Sequence, residues 1–467
     1  MIFSSIDYIL FFVIVLFFLH MIKNNYLKKS VLLLSSYFFY AYWDYRFIVL
    51  LLAMSVANYV FGNLIDECAV KNKRKALLVV SIVFNLTVLG FFKYFNFFVD
   101  SANVLLAQLN FRLPLINIIL PVAISFITFE VMSYTIDIYR GNGYKAKSFI
   151  DLSLLVAFFP HLIAGPILKP RDFLPQFAKD IVIIKSNIIS GLQIFVLGLV
   201  KKVLVADRLA SYVDKVYDNP GLYNTPTLWL VVLAFSIQIY CDFSAYSDMA
   251  IGSAKCLGFS IPRNFNLPYI SQNVTEFWRR WHISLSSWLR DYLYISMGGN
   301  RLGKKRLYSN LILTMLLGGL WHGASWNFVM WGGLHGIALI AHRLFKTSCS
   351  KLFSFHSGIK SVFNILSTFT FTSLLWVFFR SDSFDKTITI FKKLFCISDT
   401  GGVAWYATSI YFAAAFVIFN HLYGEKYDEY IQLNIERPIG IFVLIFVLIG
   451  ILLLSPSEPA AFIYFQF

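Results

Sequence analysis

The chain has 467 residues, of which 58% are apolar and only 14% are charged, and its formal net charge is +15. A soluble domain has about a quarter charged residues, so this composition excludes a soluble enzyme, a disordered chain and a small disulfide scaffold. It predicts an all-α protein that crosses a lipid bilayer many times, with its excess of Lys and Arg in cytoplasmic loops and no nucleic acid partner. The cysteines show no CxxC spacing and are predicted to be free thiols: Cys68, Cys241, Cys256, Cys349 and Cys396.

The first half of the chain alternates apolar runs with basic clusters. Crossings are predicted at 6–22, 31–43, 47–65, 77–99 and 113–138. No Lys or Arg precedes the first run and no small-residue cleavage site follows it, which favours a retained helix with the N-terminus outside. The basic clusters at 71–75 and 140–147 then both fall on the cytoplasmic side.

The second half begins with a segment that is unlike a simple crossing. Residues 149–168 contain Pro160, Gly165 and Pro166 and have basic clusters on both sides, which predicts a re-entrant segment. Further crossings are predicted at 187–205, 228–251, 311–342, 362–379, 403–422 and 439–454. We therefore expect about 11–12 crossings, with re-entrant and interfacial helices, around a central tunnel. The glycines of 311–342 predict close helix packing.

Residues 255–306 interrupt this pattern, because their hydropathy falls and Arg, Trp and Tyr are frequent. We expect this segment to lie at the cytoplasmic interface as amphipathic helices. On one continuous helix, the aromatic and His side chains at 278, 281, 282 and 288 would share a face, and the arginines at 279, 280 and 290 would point elsewhere. These arginines either bind anionic lipid or form the mouth of a site for a phosphorylated donor such as a coenzyme A thioester.

Two histidines lie where hydropathy indicates membrane. His322 stands between Trp321 and Gly323, and ionisable groups inside a membrane are costly and usually face a cavity or a pathway. It is either a neutral histidine that is hydrogen-bonded between helices or a base near neutral pH. His335 is expected to pack against a helix. The histidine spacing matches no HExxH pattern and includes no carboxylate, so no metal site is predicted.

Two aspartates in an apolar run also need partners. Asp242 and Asp248 lie six residues apart in the predicted crossing at 228–251. A carboxylate inside the membrane requires a partner from the protein itself. Arg279 and Arg280 are the candidate partners, and a structural ion pair fits the pattern at least as well as a catalytic role.

Residues 455–467 form an aromatic C-terminal tail. Pro456 and Pro459 end the last helix, an aromatic stretch that closes with Phe467 follows, and a count of about twelve crossings from an outside N-terminus places it outside. The rings either anchor the chain at the interface, or the tail folds back into the membrane domain and presents Tyr464. A phenol has a pKa of about 10 and is a poor nucleophile, so Tyr464 would need a base such as His322.

Long motifs occur in one order along the chain: PHLIAGPILKPRDFLPQ, DFSAYSDMAIG, NFNLPY, FWRRWHISLSSWLRDYLYISMGGNR and GLWHGASWNFVMWGGLHG. Together they resemble the membrane-bound O-acyltransferase (MBOAT) family, in particular its bacterial alginate and peptidoglycan O-acetyltransferases. The resemblance covers residues 1–467 as a single membrane domain and is densest over 158–336. Motifs of this length are far more specific than an isolated catalytic pattern.

The resemblance implies roles for individual residues. His322 takes the position of the family's essential histidine, and His282 takes that of a second histidine on the donor side. Phe462-x-Tyr464-x-x-Phe467 resembles the aromatic C-terminal motif whose tyrosine is proposed to carry the acyl group. The side chains expected to bind the donor are Arg279, Arg280, Arg290 and Trp281.

The implied activity is the passage of acetyl groups from cytoplasmic acetyl-coenzyme A, with no bound cofactor, across the bacterial cytoplasmic (inner) membrane. The acceptor would be a cell-envelope polysaccharide, peptidoglycan or an alginate-like polymer, reached through a secreted SGNH-type acetyltransferase partner. A transporter of a small anion or glycan intermediate would instead show paired, similarly interrupted helices in two halves, and the sequence has no such symmetry. A non-catalytic scaffold for an envelope enzyme would need neither His322 nor an arginine-rich mouth.

Overall fold

The structure, a computed structural model, describes residues 1–163, 165–348, 357–395, 402–427, 433–434, 437–455 and 460–465. It is 78% helical, and these described residues contain no β-strand, only an isolated bridge between Tyr223 and Val403. The predicted all-α fold is confirmed. Five residues that the sequence singled out lie outside the described residues: Cys349, Cys396, Pro456, Pro459 and Phe467.

The described residues form a succession of α-helices. Their bounds in chain order are α1 Ile6–Met21, α2 Asn25–Asp44, α3 Ile48–Glu67, α4 Lys71–Leu89, α5 Phe95–Leu106, α6 Ile124–Arg140, α7 Phe149–Ala157, α8 Phe159–Leu162, α9 Pro170–Phe177, α10 Lys185–Leu199, α11 Asp207–Asp218, α12 Thr225–Cys256, α13 Val274–Arg280, α14 Ile283–Trp288, α15 Gly303–His322, α16 Trp326–Ser348, α17 Ser357–Arg380, α18 Phe384–Phe395, α19 Ser409–Tyr427 and α20 Pro438–Leu454. Wider π-helical turns lie at Gly90–Tyr94, Val200–Ala206 and Leu289–Tyr294. Such turns occur frequently at functional sites.

Six helical stretches of the described chain are long and apolar enough to cross a membrane, judged by length and composition. They are Asn25–Glu67, Lys71–Leu109, Lys185–Asp218, Thr225–Cys256, Trp326–Phe345 and Gly358–Arg380. Where the prolines predicted a broken segment, the chain forms α7 and α8, of 9 and 4 residues. Nine helical residues span only about 14 Å, which is less than half of the hydrocarbon core.

The chain divides into two compact units. Unit 1 comprises Met1–Phe195 and Met249–Pro262, and unit 2 comprises Val196–Asp248 and Arg263–Phe467. Within unit 1, Asn58 of α3 and Asn85 of α4 exchange side-chain hydrogen bonds of 2.9 and 2.8 Å. His161 lies 2.9 Å from the Glu130 carboxyl group, which also accepts the Leu168 N–H. Because hydrocarbon offers no partners to polar groups, these contacts fix how the helices of unit 1 pack.

In unit 2, α15 and α16 approach each other through their glycines. A Cβ atom at Gly332 would overlap the Met315 carbonyl group, and one at Gly319 would overlap the Phe328 carbonyl group. The Cβ added at Gly332 would also meet the Gly319 Cα atom at 3.2 Å, and the one added at Gly319 would meet the Gly332 Cα atom at 3.1 Å. Small residues let helix backbones come this close in lipid, as the glycine content predicted. The crossing fixes the turn that follows α15.

Gly332→Ala is expected to lower the free energy of unfolding, because the added methyl group meets backbone atoms that cannot rotate away. Overpacked sites typically cost about 1–3 kcal/mol. Gly450→Ala in α20 is the matched control, because nothing lies within 4 Å of a Cβ there and Ala is the better helix former. Thermal unfolding of the detergent-purified proteins measures both changes. An unchanged midpoint for Gly332→Ala would contradict the close crossing.

Candidate active site

His322 is the last residue of α15 and is only 3% exposed. Aromatic rings surround its imidazole, with centroid distances of 5.2 Å to Trp331 and 5.3 Å to Phe379. The peptide dipoles of a helix place partial negative charge at its C-terminal end, which favours a cation there. The end of α15 therefore stabilises an imidazolium at His322 if the ring accepts a proton.

A helix break brings His282 beside His322. The face shared by the aromatic side chains assumed a helix through 277–292, but α13 ends at Arg280 and α14 begins at Ile283, so the helix is interrupted there. His282 has a φ of 42°, in a region that non-glycine residues rarely adopt. The break places the His282 ring 6.2 Å from that of His322, between centroids.

Asn264 holds the His282 ring in one orientation. The Asn264 Oδ1 atom can only accept, so His282 donates to it through Nδ1–H at 3.3 Å, and the Ser284 hydroxyl donates to the same oxygen at 2.6 Å. Burial lowers the pKa of His282 to about 3, because water no longer solvates the imidazolium. The ring is therefore neutral near pH 7, with its lone pair on Nε2.

The C-terminal tail folds back against side chains of α12. Phe462 is completely buried, and its ring centroid lies 4.2 Å from that of Tyr246. Tyr464 lies in the turn Ile463–Phe465, with its ring centroid 4.5 Å from Phe243 and 5.6 Å from His322. Burial raises the pKa of the Tyr464 phenol above its ordinary value. This phenol can act as a nucleophile only with a base beside it.

A cavity of about 420 Å³ extends to His322 from a group of arginines. Arg279, Arg290 and Arg343 line the cavity and are exposed, whereas His322 lines it and is buried. Arg290 also pairs with Asp291 at 2.7 Å. Guanidinium groups bind phosphate oxygens well, so the exposed part of the cavity suits a phosphorylated ligand and the buried part suits its reacting group.

Two residues that the sequence assigned to donor binding have other neighbours. Arg280 pairs with Glu276 at 2.9 Å, one helical turn earlier in α13. Trp281 is 1% exposed, and its ring lies 4.8 Å from that of Trp376, between centroids. Both contacts support the packing around α13. Sequence reasoning missed Arg343, although a basic residue at the end of an apolar helix was an available signal.

The aspartates of α12 pair with lysines. Asp248 lies 2.7 Å from the Lys201 ammonium group, and Asp242 lies 2.8 Å from that of Lys202. The predicted arginine partners are therefore wrong. Both lysines lie in the π-helical turn Val200–Ala206, inside an apolar stretch whose average hydropathy hides them. Two lysines in one predicted crossing and two aspartates in the next were the signal that could have revealed the pairs.

His335 of α16 packs against α13, as expected of a histidine that packs against a helix, and its neighbours are aromatic side chains. The Trp278 indole N–H donates to its Nδ1 at 3.3 Å, and the Trp331 ring lies 4.9 Å away, between centroids. Throughout the described ranges, no group of three or more His, Cys, Asp or Glu side chains is placed to hold a metal ion.

The structure brings His322, His282 and Tyr464 together in one aromatic cluster.

Comparison with known proteins identifies the family. The family model of MBOAT, the membrane-bound O-acyltransferases, matches residues 147–381. A probable alginate O-acetylase of Azotobacter vinelandii is 41% identical over 406 residues, which cover 85% of this chain and 79% of that protein. A probable alginate O-acetylase of Pseudomonas putida is 36% identical over 495 residues, with both chains fully covered. The peptidoglycan O-acetyltransferase of Helicobacter pylori is 37% identical over 382 residues, covering 76% of this chain and 71% of that protein.

The chain belongs to the membrane-bound O-acyltransferase family, which confirms the resemblance predicted from its motifs. It is a multi-pass membrane protein and an acyltransferase of the O-acetyltransferase type. Membership of an acyltransferase family favours an enzyme over the two alternatives, a transporter of a small anion or glycan intermediate and a non-catalytic scaffold. The matched residues 147–381 include both histidines of the cluster and the three arginines of the cavity, whereas Tyr464 lies beyond them.

The buried neutral His282 is expected to destabilise the protein in acid. The unfolded chain binds a proton at an ordinary histidine pKa of about 6.5, whereas the folded chain does so only near a pKa of about 3. Stability is therefore lost as the pH falls below 6.5, by about 2 kcal/mol at pH 5. His282→Gln removes this contribution, so its thermal midpoint should fall less than that of the wild type between pH 7 and pH 5. Equal falls in both proteins would show that His282 does not stay neutral.

Proposed function

We propose that this chain passes acetyl groups from cytoplasmic acetyl-coenzyme A across the bacterial cytoplasmic membrane, for O-acetylation of a cell-envelope polysaccharide. The observation that carries the proposal is the position of His322, which lines the arginine-rich cavity and whose ring also lies 5.6 Å from that of Tyr464. The relatives named alginate O-acetylase and peptidoglycan O-acetyltransferase support a polysaccharide acceptor. We propose peptidoglycan or an alginate-like polymer.

The cavity suits a donor that is charged at one end only. Coenzyme A carries phosphates that cannot cross lipid, so only its acetyl group needs to pass. Arg279, Arg290 and Arg343 bind the phosphates at the exposed part of the cavity. The uncharged arm of the donor then extends inward and brings its thioester to His322.

The first transfer forms an ester on Tyr464. His322 removes the proton of the Tyr464 hydroxyl while that oxygen attacks the thioester carbonyl carbon. The carbon–sulfur bond breaks, the acetyl group stays on the phenol oxygen, and the imidazolium returns its proton to the leaving thiolate. His282 is a second imidazole beside the reacting atoms, with its ring 6.5 Å from that of Tyr464.

The second transfer regenerates the phenol. An aryl ester is still an activated acyl donor, so it can acetylate an alcohol. The acceptor is a hydroxyl group of a secreted SGNH-type acetyltransferase or of the polysaccharide itself. Tyr464 recovers its proton in this step and is ready for another cycle.

His322→Ala should leave the protein folded and inserted but lower polymer O-acetylation by about 10²–10⁴-fold, the usual effect of losing a positioned base. His20→Ala is the matched control, because His20 is exposed on α1. Mass analysis of peptidoglycan and of any secreted uronate polymer, with and without the protein, measures O-acetyl groups and identifies the acceptor. Wild-type acetylation with His322→Ala would contradict the mechanism.

Tyr464→Phe should abolish transfer although it keeps the ring and nearly all of its apolar area, because only the nucleophilic oxygen is lost. Purified protein incubated with labelled acetyl-coenzyme A should gain an acetyl mass on its C-terminal peptide. That mass should disappear in Tyr464→Phe and fall strongly in His322→Ala. Tyr406→Phe, at an exposed tyrosine, serves as the control. If Tyr464→Phe acetylates the polymer normally, the acetyl group must pass directly from the thioester to the acceptor at His322.

A further inference from the structure

A buried cluster of charges holds the backbone of the C-terminal tail. The Lys202 ammonium group lies 2.8 Å from Asp207 Oδ1 and 2.8 Å from Asp242 Oδ1, and it donates to the Ala460 carbonyl at 2.9 Å. The other oxygen of Asp242 accepts the Ile463 backbone N–H at 2.8 Å. The cluster therefore contacts the tail at two backbone positions that are three residues apart.

The cluster is costly to keep away from water. Lys202 is 1% exposed and Asp242 is 3% exposed, and buried charges are tolerated only with good partners. The Lys202 ammonium group forms ion pairs with the two carboxylates and donates a hydrogen bond to the tail carbonyl. Two carboxylates face a single ammonium group, and the tail N–H adds a donor to Asp242. The tail backbone thus completes the coordination of the cluster.

Comparison with a neighbouring ion pair distinguishes the contacts that hold the tail from those that pack the helices. Lys201 and Asp248 lie 2.7 Å apart and are both buried. This pair already joins the π-helical turn Val200–Ala206 to α12. Lys202 and Asp242 join the same two segments, and in addition they bind the tail. Because Lys201 and Asp248 already join these two segments, the need to join them does not explain why Lys202 and Asp242 also contact the tail.

Aromatic packing alone leaves the tail backbone free to rotate. The Phe462 ring is buried against Tyr246 and the Tyr464 ring packs against Phe243, which holds two side chains but no backbone group. Hydrogen bonds at Ala460 and Ile463 fix the backbone on both sides of Phe462, and Tyr464 is the next residue. A misplacement of about 1 Å at a reacting group can cost about 10²-fold in rate.

We propose that Lys202 and Asp242 are positioning residues that clamp the tail backbone and so hold the Tyr464 hydroxyl beside His322. The proposal rests on the proposed function, in which Tyr464 carries the acetyl group. The lysine and the aspartate act on the backbone of the tail and do not touch the donor.

Asp242→Leu is the most informative variant, because it removes the acceptor of the Ile463 N–H and leaves Lys202 and Asp207 as a one-to-one pair. Hydrogen exchange of the backbone amides in residues 460–465 should accelerate by about 10- to 100-fold, as expected for the loss of a charged hydrogen bond. The rate of acetylation of the C-terminal peptide at saturating acetyl-coenzyme A should fall by about 10²-fold. The half-saturating donor concentration should stay the same, because the cavity is untouched.

Two further variants serve as controls. Asp242→Asn keeps an oxygen that can accept the Ile463 N–H, so it should exchange more slowly and acetylate at least about tenfold faster than Asp242→Leu. It also provides the same measurements if Asp242→Leu does not fold. The double variant Lys201→Met/Asp248→Leu removes both members of the neighbouring pair together, and its tail exchange and acetylation should stay within about threefold of the wild type.

The outcomes distinguish this proposal from the proposed function. Unchanged tail exchange in Asp242→Leu overturns the clamp, whatever the activity. Fast exchange with full acetylation, together with an inactive Tyr464→Phe, overturns the positioning role and leaves Tyr464 as the acyl carrier. Fast exchange together with an active Tyr464→Phe supports the clamp on the tail and overturns the carrier role of Tyr464. A loss of acetylation that comes with a raised half-saturating concentration also overturns the proposal, because the donor site has then changed.

Discussion

Polar groups inside a bilayer have no water to bind, so each one must find its partner within the protein. In unit 2 this requirement joins segments that are far apart in the chain. Lys202 meets Asp242 of α12, and Asp242 accepts the backbone N–H of Ile463, 221 residues further on. These contacts determine the position of the tail, and the position of the tail determines that of Tyr464. An interior without charges would have left the tail to aromatic packing alone.

The residues that we assign to the reaction, to donor binding or to positioning the tail lie where regular helix is interrupted. His322 ends α15, His282 occupies the left-handed turn between α13 and α14, and Lys202 and Arg290 lie in π-helical turns. A residue in a sparsely populated backbone region costs on the order of 1–3 kcal/mol, which the surrounding contacts must offset. Here the Ile283 N–H donates to the Asn264 carbonyl at 2.8 Å, beside the Asn264 side chain that holds the His282 ring. Such interruptions allow side chains from neighbouring turns to converge, which a straight helix does not.

Hydropathy was enough to predict the fold class, because an apolar run of about 20 residues has few alternatives to a membrane helix. The motifs were enough to single out His322, His282 and Tyr464, which the structure brings together. The break at His282 escaped prediction, because the local pattern of 277–292 is helical and only tertiary contacts impose the turn. The lysine partners of α12 escaped it too, because a window average counts Lys201 and Lys202 as minor interruptions of an apolar run. Pairings between distant segments leave no local pattern.

The separation of charge within the candidate site suits the reaction that we propose. The arginines that we propose to bind the charged part of the donor are exposed, whereas aromatic rings surround His322. Burial raises the pKa of Tyr464, so a resting phenolate would be unstable and the phenol stays protonated until the thioester arrives. In the mechanism that we propose, the proton passes to His322 as the ester forms, and from there to the departing sulfur. Because the products are a neutral ester, a neutral thiol and a neutral imidazole, the step leaves no uncompensated charge among the aromatic rings that surround His322.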